Sequence, residues 1–253
     1  MTAALLLIAL SVALPLLLAL RVYLVLPDSS KPASRRKDGE KCSLGIFLGS
    51  GGHTSEMRTL LSGLDFERYT PRTYVYCPGD DMSLKIVRDL EIAKGSSTES
   101  YHLVQLPRAR RVAQPLLSTV LTSLKTLWVA FRLFFLQPLL SRPASPWVDV
   151  LLVNGPGTCV LVVAVSWIRR ILGLRYTKII YVESFARVKS LSLSGKILRP
   201  FVDTFVVQWP DAAGPSNGLP AHSETDGGAI CGVGLRDGEG NVTNRVEYKG
   251  WLV

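Results

Sequence analysis

The sequence predicts an α/β fold, a parallel sheet wrapped by helices, behind an N-terminal membrane segment. Three observations carry this. From residue 44 onward, short apolar runs alternate with helical patterns. Two of the runs end in glycine turns that open helices, at 49–52 and 154–158, and a third ends in Glu183-Ser184. Residues 3–20 are almost wholly apolar. The 253 residues suffice for one such domain and an anchor. The hydrophobic share of 47% and the mean hydropathy of +0.25 are high for a chain without a membrane segment. A net charge of +9 favours acidic partners: a membrane surface, a phosphorylated substrate or nucleic acid. The chain lacks any motif for base stacking or groove reading, which argues against nucleic acid.

Residues 1–26 form the anchor, interrupted by Ser11 and Pro15, with Arg21 the first charge. About 20 apolar residues span a bilayer as a helix. No positive region precedes the run, and it is long for the core of a cleaved signal peptide. Lys31, Arg35, Arg36, Lys37 and Lys41 follow it, so the flank stays cytosolic and the N-terminus is lumenal. Pro15 and Arg21 both disturb a simple span, which leaves a hairpin entering one leaflet as the competing arrangement. Residues 27–43 are polar and basic, contain Pro27 and Pro32, and read as a linker.

The domain occupies 44–210. Strand patterns fall at 44–48, 72–77, 101–106, 148–153, 178–182 and 203–208, and helix patterns at 54–63, 82–93, 113–136 and 157–172. The stretch 112–140 is apolar but carries Lys125 and Arg132, with Trp128, Phe131, Phe134 and Phe135. It reads either as a core helix or as an amphipathic helix on a membrane surface. Both charges would sit mid-membrane in a second span, which argues against one. Residues 211–245 are rich in Gly, Ser, Asn and Asp and read as a flexible insert; its Asn241-Val242-Thr243 sequon goes unused in the cytosol. Residues 246–253 turn apolar again and either pack on the domain or dock on a partner. Cys42, Cys77, Cys159 and Cys231 form no CxxC pair and read as reduced thiols, with Cys77 and Cys159 in apolar runs.

Ligands of parallel sheets bind at the carboxyl ends of the strands, where the turns and Glu183 fall. Glycine lets backbone N–H groups approach an anion, and a helix N-terminus adds partial positive charge. The first turn is Gly49-Ser50-Gly51-Gly52-His53-Thr54-Ser55-Glu56. It lacks the Lys-Ser/Thr ending of a P-loop and the full dinucleotide spacing. Thr54 or Ser55 is the expected helix cap, Glu56 belongs to the first turn, and His53 is the side chain able to exchange a proton near neutral pH. The bland alternative is a tight turn with a solvent-facing histidine. The second turn, Asn154-Gly155-Pro156-Gly157-Thr158, offers N–H groups in the same way. Glu183 is placed to hold a sugar hydroxyl, to act as a base, or simply to pair with Arg187 or Lys189. Arg108, Arg110 and Arg111 form either a solvated loop or a contact for lipid headgroups or a pyrophosphate.

Together with Cys159, Tyr181-Val182-Glu183-Ser184, Arg187-Val188, Ser190-Leu191-Ser192 and Gln208-Trp209-Pro210, these turns resemble one family, in order, over 44–210. It is the membrane subunit of the second N-acetylglucosaminyltransferase of dolichol-linked oligosaccharide synthesis (the asparagine-linked glycosylation protein fourteen family). The resemblance implies a Rossmann-like fold that is one half of a GT-B glycosyltransferase, on the acceptor side. It implies a soluble catalytic partner (the asparagine-linked glycosylation protein thirteen family) that binds most of the UDP-GlcNAc. It implies addition of the second GlcNAc to GlcNAc-diphosphate-dolichol at the cytosolic face of the endoplasmic reticulum, without a metal or other cofactor. On this match Ser50, Gly51, Gly52, Thr54, Asn154, Gly155, Gly157, Thr158, Arg187 and Ser190 lie by the acceptor or its diphosphate. His53 and Glu183 are the two acid/base candidates, and Tyr248, Trp251, Leu252 and Val253 belong to the partner-docking tail. The chain departs from the family at Val160-Leu161, where a proline is common, and in the length of 211–245. The rival expectations are a self-sufficient glycosyltransferase, for which the chain is short, and a membrane adaptor whose glycine turns are purely structural.

Overall fold

The computed structural model describes residues 2–27, 39–110, 114–155, 157–209, 212 and the backbone of 246–248. The elements run α1 (Thr2–Leu24), β1 (Leu44–Phe47), α2 (Gly52–Ser62), β2 (Arg72–Tyr76), α3 (Asp81–Ala93), β3 (Tyr101–Gln105) and α4 (Leu116–Phe131). A π-helical turn (Arg132–Leu136) leads into α5 (Gln137–Ser141), followed by β4 (Val150–Val153), α6 (Thr158–Ile171), β5 (Lys178–Val182), α7 (Leu193–Leu198), β6 (Thr204–Val207) and β7 (Val246–Tyr248). The strands make one sheet in the order β3-β2-β1-β4-β5-β6-β7, and every pairing is parallel. The chain winds outward from β1 to β3, returns to β4 on the other side of β1, and winds outward again. The β1–β4 seam is therefore the topological switch point, the place where such sheets hold ligands.

The expected parallel α/β architecture is what forms, and each predicted run meets its element within a few residues. β1 is buried on both faces, as a central parallel strand must be. Its alternate residues feed two cores. Leu44 and Ile46 join Met57, Leu61, Val87 and Leu90 beneath α2 and α3. On the other face Phe47 joins Leu151, Val162, Val163 and Trp167, beneath α4 and α6. Gly45 is required on that second face, where a Cβ would lie 2.8 Å from Trp147.

One stretch differs from expectation. The helix expected to end at 136 continues to Ser141, because the π turn, in which the Gln137 N–H bonds to the Arg132 carbonyl, precedes Pro138. The wider turn accommodates a residue that has no N–H and a bulky ring. Leu117–Ser141 is long and apolar enough to cross a membrane by length and composition. Ala130, Phe134 and Phe135 nevertheless pack in the core, while Leu117, Val120, Leu121, Leu124 and Trp128 form an exposed stripe. The core-helix reading holds for one face of this stretch, and the other face is apolar and exposed. At the end of the chain, Val246–Tyr248 extends the sheet beside β6, as the reading that this tail packs on the domain expects. Residues 210–211 and 213–245, with Cys231 and the sequon, lie outside the described residues, as do 28–38, Arg111, Trp251, Leu252 and Val253.

Arg21, the charge that disturbs a simple span, sits at a junction. Its Nε donates to the Ile171 carbonyl at 2.9 Å, meeting an acceptor at the C-terminus of α6. Val22, Val25 and Leu26 pack against the α4–α6 core, while Leu10 to Leu20 of α1 are exposed.

Away from the switch point the sheet is locked by a buried ion pair. Arg72 donates to both Glu91 carboxylate oxygens at 2.8 Å, to the Phe66 and Tyr69 carbonyls, and to Ser96 and Ser100. Tyr74 donates to the same carboxylate at 2.6 Å. Burial alone would raise the Glu91 carboxyl, but hydrogen bonds from Arg72 and Tyr74 outweigh it and hold the group below the usual carboxylate range. Glu91→Ala leaves a buried guanidinium unpaired and should lower unfolding free energy by about 3–5 kcal/mol, measured by thermal or denaturant unfolding of the full chain in detergent. In the wild type this contribution is complete above the unfolded value, about 4.3, and disappears as pH falls through the lower native value.

Candidate functional site

The residues singled out by sequence converge at the carboxyl ends of β1, β4 and β5. Asn154, fully buried, follows β4. Its Oδ1 lies 2.8 Å from His53 Nδ1, and its Nδ2 donates to Glu56 Oε2 at 2.7 Å. Ser184 Oγ, after β5, donates to Glu56 Oε1 at 2.8 Å. A polar chain therefore runs His53–Asn154–Glu56–Ser184 across three adjacent strand ends. Gly155 backs the imidazole: its φ is +102°, and a Cβ there would lie 2.7 Å from the His53 ring. The glycine is needed on both counts.

The first glycine turn is open to solvent at Ser50, Gly51 and Gly52. Gly51, with φ +65°, is the N-cap of α2 and supplies no side-chain acceptor. The helix therefore begins earlier than expected, and neither Thr54 nor Ser55 caps it. Glu56 consequently lies beyond the first turn, facing Asn154. Thr54 is buried beneath the turn, donating to the Gly49 carbonyl and lying 2.6 Å from Ser83 Oγ, so it supports the loop from within. The second turn has the same open character: Gly157 caps α6 without a side-chain bond and is exposed. By contrast, α3 is closed by Asp80, which accepts from the Ser83 N–H, and α7 by Ser192, which accepts from the Gly195 N–H. Helix starts without a side-chain acceptor thus flank the switch point, the arrangement that suits an anion.

Thr158 Oγ1 accepts from the Ala109 N–H at 3.2 Å, and Thr122 Oγ1 donates to the Ala109 carbonyl at 2.7 Å. These bonds hold the arginine loop between the start of α6 and the side of α4. Arg108 is half-buried there and Arg110 exposed.

Glu183 has a different environment from the one a sugar contact requires. It is 1% exposed, and its carboxylate accepts from the Ser184 N–H and from both the N–H and hydroxyl of Ser192. Its hydrogen bonds come from Ser184 and Ser192, and the alternative pairing with Arg187 or Lys189 does not form among the described residues. A Cβ on Gly195 would collide with its Oε2. Gln208 Nε2 donates to the Glu183 carbonyl and Trp209 Nε1 to the Phe185 carbonyl, which explains the Gln208-Trp209 motif as a brace for this strand end. Arg187 and Ser190 lie exposed on the loop above it. Burial, reinforced by the Glu183 charge, pushes the Cys159 thiol up to about 12, so it stays protonated and donates to the Gly155 carbonyl. Among the described residues no group of three or more His, Cys, Asp and Glu side chains could hold a metal.

Glu56 and Ser184 are the members of the network that sequence analysis did not single out as functional. The available signal was spacing: His53 and Glu56 are three apart on α2 and share a face.

Gly155→Ala should displace His53 or force the strained left-handed backbone, at a cost of about 1–3 kcal/mol. Proteolysis or thermal unfolding of the full chain should register this loss, whereas Gly63→Ala, in open space, should have a far smaller effect.

A family model described as "Oligosaccharide biosynthesis protein Alg14 like" matches residues 44–217. The chain is 62% identical over 206 residues to the UDP-N-acetylglucosamine transferase subunit ALG14 of Cryptococcus neoformans, covering 81% of this chain and 90% of that protein. Identity to the protein of the same name is 43% over 204 residues in Rattus norvegicus (78% and 87% covered) and 39% over 215 residues in Homo sapiens (83% and 93% covered). Among solved structures, MurG of Acinetobacter baumannii aligns with a TM-score of 0.44 at 16% identity, over 72% of this chain and 43% of MurG. The match to the family model and to these relatives places the chain in the Alg14 family of oligosaccharide-biosynthesis proteins.

Proposed function

We propose that this chain is the membrane-anchored, acceptor-side half of a two-subunit UDP-GlcNAc transferase. It recruits a soluble catalytic subunit of the asparagine-linked glycosylation protein thirteen family to the cytosolic face of the endoplasmic reticulum. The pair adds the second GlcNAc to GlcNAc-diphosphate-dolichol. The observation that carries this reading is the pair of helix N-termini without side-chain caps at the switch point, with His53 between them. A diphosphate needs N–H donors and positive potential, and this site offers both. The names of the relatives support the sugar nucleotide and the subunit character.

In this reading the acceptor diphosphate lies against the exposed turns at Ser50–Gly52 and Gly157, within reach of Arg108, Arg110 and Arg187. The acceptor 4-hydroxyl attacks the anomeric carbon of the donor sugar. The bond to UDP breaks, and negative charge develops on the leaving diphosphate. His53, half-buried at the edge of the network, takes the hydroxyl proton. Glu183 is sealed inside, and its role is to hold the Ser192 loop and the start of α7.

The membrane elements support the same placement. α1 carries an exposed apolar surface, and the apolar stripe of α4 is neighboured by Lys125, Arg132 and the arginine loop. An apolar groove of about 420 Å³ between α4 and α6, lined by Leu124, Trp128, Phe131 and Ile168, adjoins that stripe. A lumenal N-terminus follows from the basic flank after α1. For the partner, the proposed dock is 246–253, of which 246–248 forms the edge strand β7.

The test is transfer of labelled GlcNAc from UDP-GlcNAc to a GlcNAc-diphosphate-lipid acceptor, using this chain alone, with its soluble partner, and with the partner after removal of 249–253. That deletion spares β7. Transfer is expected only in the intact pair. His53→Ala should lower kcat by about a hundredfold to ten-thousandfold while partner binding, measured by co-purification, is unchanged. Full transfer by the His53→Ala pair would favour a membrane adaptor with structural glycine turns, and transfer by this chain alone would refute the half-enzyme reading.

A further inference from the structure

We propose that Glu56, facing Asn154 and Ser184 across the switch point, is a positioning residue that decides which nitrogen of His53 is basic. A carboxylate only accepts hydrogen bonds. Glu56 Oε2 at 2.7 Å therefore draws the NH2 of the Asn154 carboxamide toward α2, and Oε1 is held by the Ser184 hydroxyl at 2.8 Å. The other end of the carboxamide, Oδ1, is then turned to His53 Nδ1 at 2.8 Å. An amide oxygen cannot donate, so Nδ1 carries the proton. The neutral ring keeps its lone pair on Nε2.

Among the described residues Asn154 has only His53 and Glu56 as side-chain partners, so without Glu56 the sense of the amide is not fixed. Asn154 can turn over, present its NH2 to His53, and stabilise the opposite tautomer, in which Nδ1 is the acceptor and Nε2 carries the proton. That histidine has no lone pair left for a hydroxyl proton at Nε2. Asn154 is fully buried, so protein groups rather than bulk water decide between the two orientations. The i, i+3 spacing of His53 and Glu56 lets one helix grip both ends of the same carboxamide. The consequence for catalysis rests on the proposed role of His53; the tautomer does not.

The test uses the full chain labelled with 15N at histidine, in detergent, with long-range proton–nitrogen NMR under alkaline conditions where imidazole is neutral. The chain has three histidines, His53, His102 and His222, and His53→Gln identifies the signal by its loss. Wild type is expected in the Nδ1–H form. Glu56→Gln still offers an amide oxygen to Asn154 and should retain it. Glu56→Met has similar length but no acceptor and should shift His53 to the Nε2–H form. In the two-subunit transfer assay, Glu56→Met should lower kcat about tenfold to hundredfold with KM for the acceptor little changed, the range for removing an orienting partner behind a working histidine. Glu56→Gln should restore most of the rate. Wild-type His53 in the Nε2–H form overturns the proposal without any variant, as does an unchanged tautomer in Glu56→Met. If the tautomers behave as expected but His53→Ala leaves transfer intact, the positioning by Glu56 stands and the base role of His53 falls.

Discussion

The buried carboxamide of Asn154 is the constraint on which the site depends. It stands at the switch point with no exposure to solvent, so its donors and acceptor must be met by protein. That requirement fixes the rotation of α2 about its own axis. Thr54, Met57 and Leu61 face the core, and His53 and Glu56 precede the first two of these positions by a single residue. The polar pair thus lies along one edge of the apolar stripe, where it can reach across to β4. Ser184 then ties the same carboxylate to β5. Three strand ends that are separate in sequence are joined through one side chain, and the seam of the sheet cannot open without breaking these bonds together.

The open N-termini of α2 and α6 at the switch point contrast with the closed ones of α3 and α7. At α3 and α7 the fold supplies an aspartate or a serine to satisfy the first N–H groups. At α2 and α6 it supplies glycine. A glycine N-cap is less stable than an aspartate or serine one by roughly a few tenths of a kcal/mol, and two glycine-capped starts sit side by side at the switch point. The loss is local and is offset by the packing beneath: Thr54 under the first turn, Thr158 and Cys159 under the second. A surface built this way holds donors in place for a ligand instead of consuming them internally.

Much of this was legible in the sequence because the two relevant periodicities are strong. The apolar runs at β1, β4 and β6 are short and bounded by turn residues, so strand positions follow directly. The glycine turns mark strand ends, and strand ends in parallel sheets mark sites. What could not be read was the direction of individual side chains. Glu183 and Glu56 are both carboxylates near a strand end. One is turned inward to Ser192 and the other across the seam to Asn154, a difference set by tertiary packing around Gly195 and Asn154. As a cap Thr54 would face outward, yet Gly51 at positive φ starts the helix three residues earlier and turns Thr54 beneath the loop. Likewise, apolar composition alone could not separate the core face of α4 from its exposed stripe, since both faces are apolar.

α6 links the site to α1. Its N-terminus is one of the open helix starts at the switch point, and its last turn holds Arg21 through the Ile171 carbonyl. Fourteen residues give a rigid rod of about 21 Å. The glycine turn is therefore held at a fixed distance from the point where α1 leaves the domain, with Val22, Val25 and Leu26 packed on the core there. In the proposed role the acceptor is itself a membrane lipid, with its diphosphate near the bilayer surface. An anchor on a loose tether would leave the domain free to tumble over the membrane, and the orientation entropy would have to be lost at every encounter. In that role, fastening α1 to the far end of the helix that opens at the second glycine turn would remove much of that freedom in advance. Arg21, the charge that disturbs a simple span, makes this fastening, its guanidinium meeting the carbonyl end of α6.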